Sequence, residues 1–288
     1  MWGHTSLLLL QGLHAEFEAS RLSFYEPRLE YWRQLWRVLD LCDIALMIVD
    51  ARNPLLHFSG ALTHHVLVEQ RKAAVLVLNK CDLVPAASVM AWSHFFRARH
   101  PGLAVVAASA AEGQQAARNI LTAVMNCQVV RDGRVVLAQQ LVPGTIDTIL
   151  QHSAMRNTVA KRRVAATGPG TGLGNAVALP VTSRSGGGAA ATQGNTANAV
   201  PQAPDQAIAG RTKHYQTHFM APGLMLCDCP GLVFPRVDVS LPMQILYGSF
   251  PIARCRDPYA VVAYLAAHMW PRLHLVLSLT KVDGDGKP

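Results

Sequence analysis

Three short apolar runs constrain the fold of this chain more than any other feature. They span residues 44–49, 73–78 and 103–108, they are rich in Val, Leu and Ala, and each is followed by a polar residue. Runs of this kind are typical of strands that are buried on both faces. Helical patterns at 59–70 and 86–99 separate them. This alternation predicts an α/β fold with a doubly wound, mostly parallel sheet.

The remaining segments predict further helices and a few strands. Leu35 and Leu39 recur at helical spacing, which predicts a helix over 26–41 with Pro27 in its first turn. The dipeptide Asp132-Gly133 predicts a hairpin within 129–142. Other predicted elements are helices at 114–125, 241–247 and 258–269 and strands at 214–220 and 224–227.

Composition divides the chain into one large domain and shorter flanking segments. The main α/β domain is predicted at 25–236, after an N-terminal extension at 1–24 and before a small C-terminal helical segment at 237–288. Between 167 and 209 the chain changes to Gly, Ala, Ser, Thr, Asn and Pro, a composition typical of a flexible low-complexity insert. An insert of this length inside a compact domain is unusual, so it indicates disorder or a disrupted sequence.

The charge balance favours an anionic partner. The chain carries 26 Lys and Arg against 18 Asp and Glu, a net charge of +8, which favours a nucleotide, RNA or a ribosomal surface. The charges are scattered, and the densest cluster is Lys161-Arg162-Arg163. Six Cys without a C-x-x-C pair predict free thiols in a reducing compartment. No apolar stretch reaches the length of a membrane span, so we expect an intracellular monomer in the nucleus, nucleolus or cytoplasm, without membrane contact.

The polar residues after the second run carry a specific chemistry. Asn79-Lys80-Cys81-Asp82 matches the Asn-Lys-x-Asp motif with which GTPases read guanine. A carboxylate at Asp82 can accept from guanine N1–H and from the 2-amino group, whereas adenine lacks the 2-amino donor. Lys80 would lie along the base, and Asn79 would tie neighbouring loops together. The alternative is an ordinary polar turn after a strand.

Two further strand ends carry related motifs. Ser109-Ala110 follows the third run, in the place where a GTPase loop offers a backbone N–H to guanine O6. Asp228-Cys229-Pro230-Gly231 follows the strand at 224–227 and matches Asp-x-x-Gly, whose Asp binds Mg²⁺ and whose Gly N–H meets the γ-phosphate. A polar cluster after the first run, at 50–54, is either functional or a turn with an Arg–Asp pair.

The order of these motifs resembles that of the circularly permuted GTPases, a family associated with ribosome assembly. In ordinary GTPases Asp-x-x-Gly comes first, and here it comes last. The resemblance covers roughly 25–125 and 208–270, and longer strings match at 31–39, 48–56, 215–219, 226–235 and 250–253. It implies a circularly permuted G domain that binds GTP or GDP with Mg²⁺, and a ribosomal subunit or rRNA as partner.

The resemblance also implies roles for individual residues. The base would be read by Asn79, Lys80 and Asp82, with Ser109 and Ala110 closing over O6. Asp228 would serve Mg²⁺, and Gly231 the γ-phosphate. Thr212, in the place of the family's switch threonine, is a second candidate Mg²⁺ ligand, although Ile208-Ala209 replaces the preceding Thr-Pro. No catalytic residue is assigned.

One family motif is missing. The chain contains no Gly-Lys-Ser or Gly-Lys-Thr, and the glycine-rich stretch at 164–175 lacks the P-loop Lys and hydroxyl. Leu232 stands where many GTPases place a water-orienting Gln, which predicts slow or partner-dependent hydrolysis. Three readings follow: a GTPase that hydrolyses GTP to GDP as a switch in ribosome biogenesis, a pseudo-GTPase binding module, or a divergent copy whose P-loop segment has been replaced.

Overall fold

The chain forms two compact units. In this computed structural model, residues 21–151, 153, 176–179, 214–269, 275 and 277–278 are described. The larger unit is built mainly from Glu26–Phe234, and the smaller contains Gln11–Tyr25 and Pro235–Pro288.

Within the described residues, eight strands form two sheets. In chain order they are β1 (Ile44–Asp50), β2 (Ala73–Asn79), β3 (Leu103–Ala107), β4 (Gln128–Arg131), β5 (Arg134–Leu137), β6 (Ala176–Leu179), β7 (Gln216–Ala221) and β8 (Leu224–Asp228). The larger sheet has the order β3-β2-β1-β6-β8-β7, and β4 pairs with β5.

The larger sheet is mixed. β1, β2 and β3 are parallel neighbours, which confirms the predicted α/β class and its three parallel strands. β6 is antiparallel to both β1 and β8, and β7 is antiparallel to β8. The expectation of a mostly parallel sheet is therefore wrong for the half of the sheet that contains β6, β8 and β7. β6 falls inside the predicted flexible insert, where a four-residue apolar run forms a strand, and the rest of that insert lies outside the described residues.

The helices lie close to their predicted positions. They are α1 (Leu29–Leu41), α2 (Pro54–His57), α3 (Gly60–His64), α4 (Ala86–Arg99), α5 (Gln114–Met125), α6 (Leu241–Leu246) and α7 (Pro258–Met269), with a π-helical turn after α3 and a helical segment at 146–151. α1 begins three residues later than predicted. Pro27 disfavours helical backbone at Glu26, and the Glu26 carboxylate instead accepts the Arg28 backbone N–H at 3.0 Å.

Both faces of the parallel strands are covered. Alternate residues of β1 belong to different buried clusters, with Met47 packed among side chains of α1 and α4, and Leu46 among those of α5. Phe96 of α4 and Val124 of α5 are fully buried in these two clusters. Because successive side chains of a strand point to opposite faces, this arrangement explains why the strand sequences are continuously apolar.

The turn between β7 and β8 requires glycine. Gly223 has φ +78°, and a Cβ there would lie 2.6 Å from the Leu141 carbonyl oxygen. We expect Gly223→Ala to lower the free energy of unfolding by about 3 kcal/mol, the sum of a left-handed backbone and a backbone clash. Gly133→Ala is the matched control, because Gly133 has φ +74° with no atom within 4 Å of that Cβ, and it should cost about 1–2 kcal/mol. Equal losses in urea denaturation would contradict the clash.

The smaller unit has its own contacts. The Phe24 backbone N–H donates to Gln244 Oε1 at 2.8 Å, and the Phe24 ring meets Phe250 edge-on at 5.5 Å. Ser23 donates its backbone N–H to the Arg236 carbonyl at 2.7 Å. The two predicted helices of the C-terminal segment are present as α6 and α7. Across the described part of the chain, every helix is too short or too polar to span a membrane.

Candidate functional site

The carboxyl ends of β1 and β2 lie side by side. Their parallel register pairs Asp50 with Asn79, so both strands end at the same level. The pairing continues by one residue, because the Ala51 N–H donates to the Asn79 carbonyl at 2.8 Å. Open α/β sheets place ligands at the carboxyl ends of their strands. The polar residues of the two strands therefore meet where a ligand is expected.

Asn79 joins the two loops that the sequence assigns to the base. Its Oδ1 accepts the Lys80 backbone N–H at 2.8 Å and the Ala110 backbone N–H at 3.2 Å. A second bond runs from the Cys81 N–H to the Ala108 carbonyl at 3.4 Å. The loop after β2 and the loop after β3 are thus held together, and the predicted connecting role of Asn79 is confirmed.

The remaining base-reading candidates lie on these same loops. Asp82 is exposed in the 3₁₀ turn Cys81–Leu83. Ser109 is buried, and its Oγ accepts the Ala111 N–H at 3.2 Å, which shapes the start of the second loop. Ala110 is exposed, and its N–H donates to Asn79 Oδ1.

Lys80 contacts a residue that sequence analysis did not assign to the site. Lys80 Nζ lies 3.0 Å from Asp50 Oδ2, and Arg52 Nη2 lies 2.6 Å from the same oxygen. The Asp50 side chain is fully buried. Burial opposes its ionisation, but hydrogen bonds from Arg52 and then Lys80 outweigh that effect and hold the pKa of Asp50 below its usual range.

The Arg–Asp pair at 50–54 is therefore confirmed, but its link to Lys80 was missed. The signal lay in two strands that both end in a polar residue, Asp50 and Asn79. Recognising it requires the register that pairs these residues. A sequence pattern does not supply that register, because a parallel strand has no tight turn to fix its alignment with the neighbouring strand.

The Asp-x-x-Gly motif is placed away from the guanine-motif loops. Asp228 ends β8 and is partly buried, and Gly231 is buried. β8 is separated from β2 by β1 and β6, three strand spacings or about 14 Å. In the register of the sheet, Asp228 pairs with Val177 of β6, and Val177 pairs with Leu46 of β1. Asp228 is therefore level with Leu46 and not with Asp50. Thr212, the second candidate Mg²⁺ ligand, lies outside the described residues.

Asp228 has the chemistry of a magnesium ligand. Mg²⁺ prefers carboxylate oxygens and takes one or two of them together with phosphates and water. The described residues contain no group of three or more His, Cys, Asp or Glu that could hold a metal by themselves. A single carboxylate at Asp228 suits an ion that also needs the nucleotide phosphates.

Two cysteines, Cys229 just after β8 and Cys127 just before β4, are buried and unreactive. All six are free thiols, as predicted. Burial, with a smaller contribution from the neighbouring Asp228 carboxylate, raises the pKa of Cys229 to about 12. Burial also raises the pKa of Cys127 to about 11. Both thiols therefore stay protonated near neutral pH, and neither is an activated nucleophile.

Comparisons with known proteins identify relatives. A search of protein-family models found no match. The chain is 31% identical over 308 residues to human Guanine nucleotide-binding protein-like 1, covering 89% of this chain and 48% of the relative. The mouse protein of that name is also 31% identical, over 304 residues. GTPase LSG1-1 of Arabidopsis thaliana is 31% identical over 264 residues, covering 87% of this chain and 47% of the relative.

The matches cover most of this chain but only part of each relative. The chain spans about half the length of the curated relatives it matches. The match to the human relative extends over 308 residues, which exceeds the 288 residues of this chain. The alignment therefore includes positions at which this chain has no counterpart.

Proposed function

This chain is a homologue of circularly permuted GTPases, and from that premise we propose that it binds guanine nucleotide at the loops after β2 and β3. The observation that carries the proposal is the bond from the Ala110 N–H to Asn79 Oδ1. It fixes the Asn-Lys-x-Asp loop and the Ser-Ala loop against each other, so both are ordered before a ligand arrives. Preorganised contacts of this kind reduce the cost of binding.

In the proposed complex, Asp82 reads the base. Its exposed carboxylate accepts from N1–H and the 2-amino group of guanine, a bidentate contact worth about 1–3 kcal/mol of discrimination against other bases. The Lys80 side chain, which is about one-third exposed, lies along the ring. Ser109 and Ala110 close over O6.

A more detailed proposal concerns the nucleotide phosphates and the hydrolysis of GTP. Asp228 and Thr212 would hold Mg²⁺, which supplies charge neutralisation at the phosphates when bound, and the Gly231 N–H would meet the γ-phosphate. We propose that the whole protein hydrolyses GTP to GDP as a switch in ribosome biogenesis. Leu232 cannot orient water, so this hydrolysis is slow or depends on a group supplied by a partner.

A second candidate function, a binding module without hydrolysis, is favoured by the missing P-loop. A P-loop follows a strand and leads into a helix. Here the glycine-rich stretch at 164–175 comes directly before β6, and β6 runs antiparallel to β1. Neither Gly-Lys-Ser nor Gly-Lys-Thr occurs in the sequence. This candidate keeps the base-reading loops and loses most of the phosphate affinity.

Calorimetry with GDP and ADP, both with Mg²⁺, tests the proposal shared by the two candidates. We expect GDP to bind at least tenfold more tightly than ADP, because only guanine offers both donors to Asp82. The full chain is used, so that every loop is present. Absence of heat with millimolar GDP, or equal affinity for the two nucleotides, would refute guanine recognition.

Co-sedimentation with ribosomal subunits tests the partner. The net charge of +8 predicts binding at low salt that weakens steeply as salt rises. Replacing Lys161, Arg162 and Arg163 with Gln should reduce the slope of log affinity against log salt by about 2–3, if each contacts one phosphate. Arg21→Gln is the control, because Arg21 already pairs with Asp238. Failure to sediment with subunits at low salt would contradict the ribosomal partner.

A further inference from the structure

Asp50 and Lys80 meet at the ends of neighbouring strands, and no motif assigns them to each other. We propose that Asp50 is a positioning residue: it holds the Lys80 amine so that the lysine side chain is ordered before a base binds. The inference rests on the proposed guanine site, and it adds to that site a residue that never touches the nucleotide.

The geometry fixes both partners. Asp50 is paired in register with Asn79, the residue before Lys80. Lys80 has φ 60° and ψ 34°, in the left-handed region that non-glycine residues adopt at a cost. This residue leads from β2 into the 3₁₀ turn Cys81–Leu83, and Lys80 Nζ lies 3.0 Å from Asp50 Oδ2. The amine is held at the strand end while the side chain remains partly exposed.

The contact of Lys80 with Asp50 is not needed to neutralise the buried Asp50 carboxylate. Arg52 already donates four hydrogen bonds to Asp50: from its backbone N–H at 3.0 Å, from Nε at 3.0 Å to Oδ1 and 3.2 Å to Oδ2, and from Nη2 at 2.6 Å. A guanidinium that binds both oxygens satisfies the charge of one carboxylate. Lys80 is therefore a second cation bound to a carboxylate that Arg52 already neutralises. The main effect of the contact is to restrict the Lys80 side chain.

The consequence is a preorganised side chain. Lysine has four rotatable side-chain bonds, and ordering it on binding costs entropy that corresponds to about a tenfold loss of affinity or somewhat more. With the amine fixed on Asp50, that loss is incurred during folding rather than on binding. Removing the carboxylate should therefore weaken nucleotide binding through Lys80.

The contact between Asp50 and Lys80 can be tested without nucleotide. The full-length chain is treated with an amine-acylating reagent and then digested, and mass spectrometry of the peptides gives the rate at which Lys80 is modified. Asp50→Asn should raise that rate several-fold, because the amine is released to solvent. Asp43→Asn is the matched control: Asp43 lies just before the other end of β1 and pairs with Arg131, so it should leave Lys80 unchanged. An unchanged Lys80 rate in Asp50→Asn would overturn the proposal.

A double-mutant cycle on GDP affinity tests the functional part. We expect Asp50→Asn to lose about tenfold in affinity, Lys80→Met to lose at least as much, and the double variant to lose no more than Lys80→Met alone. Losses that multiply would mean that Asp50 acts independently of Lys80, and would overturn the proposal. If the unmodified chain binds no GDP, the proposed function fails, while the acylation rates still decide whether Asp50 holds Lys80.

Discussion

Asp82→Asn is expected to change the preferred base of this chain from guanine to xanthine. Guanine offers two donors, N1–H and the 2-amino group, and the exposed Asp82 carboxylate can accept from both. An amide presents one acceptor and one donor, which matches the 2-oxo group that xanthine has in place of the amine. Losing the bidentate contact costs about 1–3 kcal/mol, so GDP affinity should fall about 10- to 100-fold while XDP affinity rises.

Competition between GDP and XDP for the same chain measures this exchange. Glu112→Gln is the matched control, because Glu112 is also an exposed acid, lies in the neighbouring Ser-Ala loop, and loses the same charge. The control should keep the preference for GDP. A chain with Asp82→Asn that still prefers GDP by the original ratio would show that Asp82 does not read the base.

The sequence predicts the parallel half of the sheet well, for a physical reason. Residues of β1 and β2 are buried on both faces, so nearly every position must be apolar, and the runs are visible without any knowledge of the fold. β6 could not be predicted in the same way. Its four apolar residues lie in a Gly- and Ala-rich region, and their antiparallel direction depends on pairing with β1 and β8.

The site was predictable where its residues are close in sequence. Asn79, Lys80 and Asp82 form one motif, and the bond from Ala110 to Asn79 follows from two adjacent strand ends. The contact between Asp50 and Lys80 spans 30 positions and depends on a parallel register. Interactions of that kind arise from tertiary packing, which local patterns do not encode.

The second large effect concerns the phosphates: if the chain is a binding module without hydrolysis, we expect guanosine, GDP and GTP to bind it with affinities within about tenfold of one another. In a complete P-loop the lysine and aligned backbone N–H groups contribute charge-assisted hydrogen bonds of about 1.5–3 kcal/mol each. A lysine and two such N–H groups amount to about 4.5–9 kcal/mol, or roughly 10³- to 10⁶-fold in affinity. This chain has no Gly-Lys-Ser or Gly-Lys-Thr to supply them.

Titrations of guanosine, GDP and GTP with Mg²⁺ decide between the two candidate functions. The same titrations with Asp228→Asn show whether this carboxylate contributes to the binding of the phosphates. If binding rests on the base alone, this substitution at the end of β8, about 14 Å from β2 across the sheet, leaves all three affinities unchanged. If GTP binds 10³-fold more tightly than guanosine and Asp228→Asn removes that advantage, then a phosphate and Mg²⁺ site is intact and the binding-module candidate is wrong. With equal affinities, any hydrolysis requires a cation supplied in trans, because phosphoryl transfer depends on positioned charge.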